Sequence, residues 1–125
     1  MVDPDAPGPA LPILRYFLHW IVSDAQPSCI TDQKRKTVAP YMATTPLSVA
    51  AHRYTFLLYR QPPNYTPPPS LNYVPGVRNN FDLPAYVKEA GLIGPVAGNY
   101  FNQGLAQAVC AVTPKCTQDG TGYTA

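Results

Sequence analysis

At 125 residues the chain has room for a single domain, 1–125, whose core needs neither a disulfide nor a metal to hold it. Charged residues make up only 13%, the formal net charge is +2, and the longest basic run is Lys34-Arg35-Lys36; this excludes the broad basic face that nucleic acid requires. No apolar stretch approaches the roughly 18 residues of a membrane span, which leaves at most peripheral membrane contact.

Sixteen prolines and nine tyrosines against four phenylalanines describe a mainly β protein rich in turns, because proline punctuates strands and tyrosine suits a pleated surface. The chain opens with Met1-Val2-Asp3-Pro4-Asp5-Ala6-Pro7. There a short apolar lead runs into two carboxylates held between prolines that fix φ and remove backbone donors. This opening has neither the basic region nor the apolar run of a signal peptide, which leans towards a cytoplasmic protein without excluding secretion.

Arg15–Val22 reads as a central strand, with Phe17, His19 and Ile21 on one face and Leu18, Trp20 and Val22 on the other, both apolar. Ser23 to Thr45 is polar and reads as a long loop with at most a short strand near Thr37-Val38. Ala51–Arg60 is the clearest strand, with His52, Tyr54, Phe56 and Leu58 facing away from Arg53, Thr55, Leu57 and Tyr59. Gln61 to Val77 holds six prolines and forms a stiff connector.

Asp82–Gly91 has the marks of a short helix. Asp82 is its N-cap, Pro84 lies in its first turn, Gly91 stops it, and Leu83, Tyr86, Val87 and Ala90 share a face. Gly94–Asn102 reads as a turn and a short strand, Leu105–Ala111 as a further helical piece, and 117–125 as a frayed tail. Three cysteines leave one over if a disulfide forms; Cys110 and Cys116 could close a small loop while Cys29 stands apart. None of them has His or Cys neighbours at zinc spacing, so neither a metal nor any other cofactor is expected.

Asp3-Pro4-Asp5-Ala6-Pro7, His19 in a strand, His52-Arg53-Tyr54 leading a hydrophobic strand, Gly94-Pro95-Val96-Ala97-Gly98 and Tyr100-Phe101-Asn102 occur in an order that resembles the phosphatidylethanolamine-binding protein family over nearly the whole chain. The resemblance implies a β-sandwich-like fold, with a large antiparallel sheet, a smaller sheet and one or two short peripheral helices. It also implies a small anion-binding cavity. Carried over by position, Asp3, His19, His52 and Tyr54 line that cavity, with Ala6, Pro7 and Pro46 at its rim. Arg53, on the opposite strand face from His52, is expected to pair with Asp5 and hold the two motifs in register.

The chain departs from the family pattern where Gly8-Pro9 replaces a polar pair, where Ala43-Thr44-Thr45-Pro46 replaces a glycine-rich double-proline loop, and at Ala50. Family members carry strands before the first motif, so a homodimer that completes the sheet, or the loss of an N-terminal segment, is expected here. The leading function is a regulatory or carrier protein for a small anionic or headgroup-like ligand. Two other readings compete with it. One is a non-redox acid-base enzyme acting on a small hydrophobic metabolite through Asp3, His19 and His52; the other is a protease inhibitor or signalling modulator.

Overall fold

The computed structural model describes residues 1–26, 34–69 and 78–105. In chain order the elements are β1 (Val2–Asp3), β2 (Phe17–Leu18), β3 (Ile21–Ser23), β4 (Lys36–Ala39), β5 (His52–Arg60), α1 (Leu83–Glu89) and β6 (Ile93–Gln103). The Tyr-Thr-Phe-rich run of β5 favours a pleated strand, and it pairs antiparallel with β6 from His52↔Gln103 through Leu58↔Ala97. On its other side β1 enters through Val2↔Thr55, and β2 closes against β1 through Val2↔Leu18 and Asp3↔Phe17. The four strands lie in the order β2-β1-β5-β6, and β3 and β4 form a separate two-stranded sheet. The fold is therefore mainly β, with a large antiparallel sheet, a smaller one and a short helix.

Because β1 ends at Pro4, which has no N–H to give a ladder, its two residues are left pointing to opposite faces. Val2 joins Leu18, Ala39, Phe81, Tyr86 and Ala90 in the core, while Asp3 turns to the face that also carries His52 and Tyr54. Helix α1 covers the core side. The Asp82 side chain accepts from Ala85 N–H at 2.9 Å, with proline in the first turn. After the helix the chain reverses through Gly91 at φ 63°, with Leu92 N–H returning to Val87 O at 3.0 Å, a turn that glycine makes at no steric cost.

Two strand expectations change. Arg15–Val22 is not one central strand but two short ones in different sheets. The interruption falls at His19 and Trp20, whose N–H groups both turn to Met1 O, at 2.9 and 3.2 Å. Two consecutive donors on one carbonyl cannot belong to a regular ladder, so the expected sorting of residues 17 to 22 onto two faces is lost.

The segment after α1 is a single eleven-residue strand rather than a turn and a short strand. Its Gly94-Pro95 punctuation is taken up in an irregularity opposite Leu58–Arg60. Gly94 sits there at φ 129°, where a Cβ would strike Val96 N, so the position calls for glycine. Strand β4 falls where a short strand near Thr37-Val38 is expected.

In the described sheet β6 is an edge, with Ile93, Val96, Tyr100 and Phe101 exposed along it. The expected helical piece over Leu105–Ala111 lies, past Leu105, outside the described residues, as do the tail from 117, most of the connector's second half, and Cys29, Cys110 and Cys116.

Candidate functional site

Asp3 is positioned by the chemistry of its own motif. The N–H of Asp5 donates to Asp3 Oδ1 at 2.7 Å, an Asx-type turn that aspartate favours. This leaves Oδ2 to accept from His52 Nδ1 at 2.7 Å. His52 opens β5, and with its Nδ1 committed to the carboxylate, its Nε2 is the free end of the ring. That end meets Ser48 Oγ at 2.9 Å, and the Ser48 hydroxyl also reaches Ala50 O at 2.7 Å. The Asp3 and His52 side chains are only 4% and 2% exposed, so their pairing is screened little by solvent.

Two residues further along the same strand face, Tyr54 stacks on His52 with ring centroids 6.1 Å apart and on Phe101 of β6 at 5.2 Å. His19 meets Tyr54 edge-on at 5.2 Å and Phe17 at 5.0 Å. Burial, and secondarily the charge of Asp3, pushes the Tyr54 phenol well above its ordinary pKa, so it stays neutral across the physiological range. His19 Nδ1 donates to Met42 O at 2.8 Å, and a carbonyl partner fixes that nitrogen as the protonated one.

The His19 pKa lies below its ordinary value. Burial is the main cause, the Met42 bond and Asp3 oppose it, and the chain's amino group and Arg78 add to it. A histidine whose folded pKa is lowered contributes stability that is fully present above the ordinary value of about 6.5 and is lost as pH falls through the lower folded one. Melting temperature is therefore expected to drop on acidification below pH ~6.5. In His19→Gln this part of the slope is expected to be absent; a slope identical to wild type in differential scanning fluorimetry would contradict it.

Asp5 makes the other contact. Arg53 donates to it from Nε at 2.9 Å, from Nη2 at 2.8 Å and from its backbone N–H at 2.8 Å, a two-pronged grip on one buried carboxylate. This ties the turn after β1 to the first residues of β5 and so sets the distance from Asp3 to His52. The guanidinium beside Asp5 holds its carboxyl below the usual range, against the opposing effect of burial.

Ala6 and Pro46 are buried and Pro7 is half-buried. The structure thus brings Asp3, His52 and Tyr54 into one cluster, joins His19 to it through the Tyr54 ring, and sets Asp5 with Arg53 beside it. An apolar groove of about 780 Å³ runs past Leu18, Leu57, Tyr59, Tyr86 and Leu92, and none of Asp3, His19, His52 or Tyr54 lines it. Among the described residues no three His, Cys, Asp or Glu side chains gather to hold a metal, and no helix is long and apolar enough to cross a membrane.

The model of the family described as phosphatidylethanolamine-binding protein matches residues 1–110. The chain belongs to the phosphatidylethanolamine-binding protein family. Among curated relatives of this family member, CEN-like protein 1 of Nicotiana tabacum is 41% identical over 102 residues, which are 82% of this chain and 55% of the relative. Protein SELF-PRUNING of Solanum lycopersicum is 36% identical over the same shares. Protein FLOWERING LOCUS T of Arabidopsis thaliana is 36% identical over 82% of this chain and 54% of its own. The chain spans about half the length of the curated relatives it matches.

Three members of the site were not singled out from the sequence. Ser48 is the polar residue in an apolar stretch, Pro46–Ala51, that leads into His52, and that contrast was the available signal. Phe101 could have been paired with Tyr54 had the register of β5 and β6 been known. Arg78, which donates from Nη2 to Pro40 O at 3.0 Å and more weakly from Nη1 to Leu18 O and His19 O at 3.4 and 3.5 Å, left no mark, because its partners are main-chain carbonyls.

Proposed function

We propose that this family member is a binding protein, regulatory or carrier in role, that takes a small anion or a phosphorylated headgroup at Asp3, His19, His52 and Tyr54, with Ala6, Pro7 and Pro46 at the rim. The observation that carries this reading is the His52 ring. Asp3 supports it at Nδ1, and at Nε2 it is met by a neutral hydroxyl, Ser48 Oγ, at 2.9 Å. With Nδ1–H given to Asp3, Nε2 donates only in the imidazolium form, and the hydrogen bond of that form to an anionic oxygen is roughly twice as strong as a neutral one, so an anion displaces Ser48 from the ring. Ser48 lies in a loop whose neighbours Leu47, Val49, Ala50 and Ala51 are exposed, so its hydroxyl can turn from the ring while the loop backbone stays in place.

His19 adds the pH dependence. Its one neutral-state donor is committed to Met42 O, so it gains a second donor and a positive charge only on protonation. Its lowered pKa places that gain on the acid side of about 6.5. Binding therefore strengthens as pH falls. The names of the relatives, FLOWERING LOCUS T and SELF-PRUNING among them, describe no reaction, which favours regulation over catalysis.

Calorimetric titration with O-phosphorylethanolamine and with inorganic phosphate, at about pH 5.5 and about pH 7.5 on either side of the ordinary histidine value, is expected to show tighter binding at the lower pH. Comparing the two titrants separates headgroup from bare phosphate recognition. In His52→Ala the affinity is expected to fall by about tenfold or more, the equivalent of one charge-assisted hydrogen bond; unchanged binding would overturn the proposal.

A further inference from the structure

Ser48, His52 and Asp3 form a continuous hydrogen-bonded line that an anion-binding role does not require. Ser48 Oγ lies 2.9 Å from His52 Nε2, His52 Nδ1 lies 2.7 Å from Asp3 Oδ2, and Asp3 Oδ1 is itself fixed by the Asp5 N–H at 2.7 Å. The hydroxyl sits at the surface end of the line, half-buried, while the imidazole and carboxylate behind it are buried. This is the order that activates a hydroxyl nucleophile: a reachable oxygen, a base in hydrogen-bond contact, and a shielded carboxylate that orients the base.

The loop carrying Ser48 is held from two sides. Leu105 N–H donates to Ser48 O at 2.9 Å, and Gly104 packs so closely that a Cβ there would strike Val49 O. Gly8 also leaves just enough room for the Ser48 side chain, since a Cβ at Gly8 would come to rest 3.4 Å from Ser48 Cβ. A larger residue at position 8 would press on the nucleophile.

We propose that Ser48 is an acyl-accepting nucleophile, with His52 as its general base and Asp3 as the group that orients His52. Its substrate class is uncharged esters with an apolar acyl group, because Leu47, Val49 and Leu105 around it, and Leu11 in the turn after Gly8, are exposed and no cationic side chain flanks Ser48 in sequence.

With His52 neutral and its proton on Nδ1 towards Asp3, Nε2 accepts the Ser48 proton as Oγ attacks the carbonyl carbon. The tetrahedral adduct collapses with cleavage of the ester C–O bond. The departing alkoxide takes the proton from Nε2, and Ser48 is left as an acyl ester. Water, deprotonated by the same Nε2, then attacks that ester and releases a carboxylic acid. When His52 is an imidazolium, Nε2–H donates to Oγ, which then keeps its own proton on its bond to Ala50 O at 2.7 Å, and the nucleophile is switched off.

This activity shares His52 and Asp3 with the anion site but not its occupant, so phosphate bound at Nε2 competes with acylation. The test treats the chain with an alkyl fluorophosphonate in neutral buffer, followed by intact mass and peptide mapping. The expected result is one alkylphosphonyl group per chain, on Ser48. The label is expected to be absent in Ser48→Ala and to form about a hundredfold more slowly in His52→Gln, the usual weight of a general base.

Gly104→Ala, which leaves Asp3 and His52 in place and pushes the Ser48 loop away, is expected to slow labelling while the circular dichroism melt stays cooperative; it serves if His52→Gln fails to fold. No label on a folded chain overturns the proposal. So does a label on another residue, or one that forms on Ser48 at an unchanged rate in both variants. Ser48→Ala keeps its phosphate titration under the anion-binding reading, so the failure of one proposal is distinguishable from the failure of the other.

Discussion

Replacing Asp5 by alanine is expected to destabilise the fold by about 3 kcal/mol, measured as a lowered urea midpoint at unchanged slope. The substitution removes the acceptor of three hydrogen bonds from Arg53, two of them from the guanidinium. Bonds to a charged partner contribute about 1.5–3 kcal/mol each when tested singly, and less than their sum when they share one group. The Arg53 side chain is 57% exposed against 7% for that of Asp5, so the freed guanidinium is resolvated by water and its share must be discounted.

Arg53→Ala is expected to cost less, about 1–2 kcal/mol, because the backbone N–H still serves the carboxylate. The pH dependence has a definite sign. The Asp5 carboxyl is held below its usual pKa, first by the Arg53 side-chain bonds, so its contribution is complete above the ordinary carboxylate value and is lost as pH falls through the lowered one. Asp5→Asn is expected to lack that acid limb. An unfolding free energy for Asp5→Ala within about 0.5 kcal/mol of wild type, the range of an ordinary surface change, would refute the clamp.

The second consequence of the same substitution is functional. Asp5 N–H holds Asp3 Oδ1, and the clamp sets β1 against β5, so loosening it frees the Asp3 carboxylate to turn from His52. The expected phosphate affinity of Asp5→Ala is accordingly lower even where the chain remains folded.

Legibility followed the range of the interactions involved. Helix α1 was readable because Asp82, Pro84 and Gly91 act within a few residues of one another, and its cap bond to Ala85 is local. Strand β5 was readable because its aromatic and β-branched side chains favour a pleat whatever lies beside them. The split at His19 was not. An apolar octet reads the same as one strand or as two, and the break comes from Met1 O and from the loop at Arg78, which takes the Leu18 N–H on its carbonyl at 2.7 Å.

The site divides in the same way. Asp3, His52 and Tyr54 were legible because the alternation of a strand puts residues 52 and 54 on one face, and because the DPDAP and HRY wording carries the family pattern. Ser48 was not, since the path of its loop is decided by Gly104 and Leu105 at the far end of β6.

Arg78→Ala is expected to cost about 3 kcal/mol or more, the range for buried polar networks that lose their central member. Arg78 is 4% exposed, and its guanidinium spans Pro40 O on one side and Leu18 O with His19 O on the other. It therefore ties the end of β2 to the segment after β4. Its Nε has no partner among the described residues, and burial lowers its pKa, so it is a charge carried at a desolvation cost. This gives the substitution series an unusual order.

Lysine keeps the charge but not the fork that reaches three carbonyls, and is expected to be as damaging as alanine. Methionine gives up the charge and its desolvation cost while keeping most of the side-chain volume. It is expected to recover about 1–2 kcal/mol relative to alanine, as apolar replacements of buried ions do. Because the carbonyl of His19 is one of the three anchored groups, all three variants are expected to loosen the His19 ring against Tyr54, read as an altered His19 imidazole resonance and weaker phosphate binding at acid pH. A stability order in which lysine exceeds methionine would show that charge, and not the volume and reach of the side chain, is what position 78 supplies.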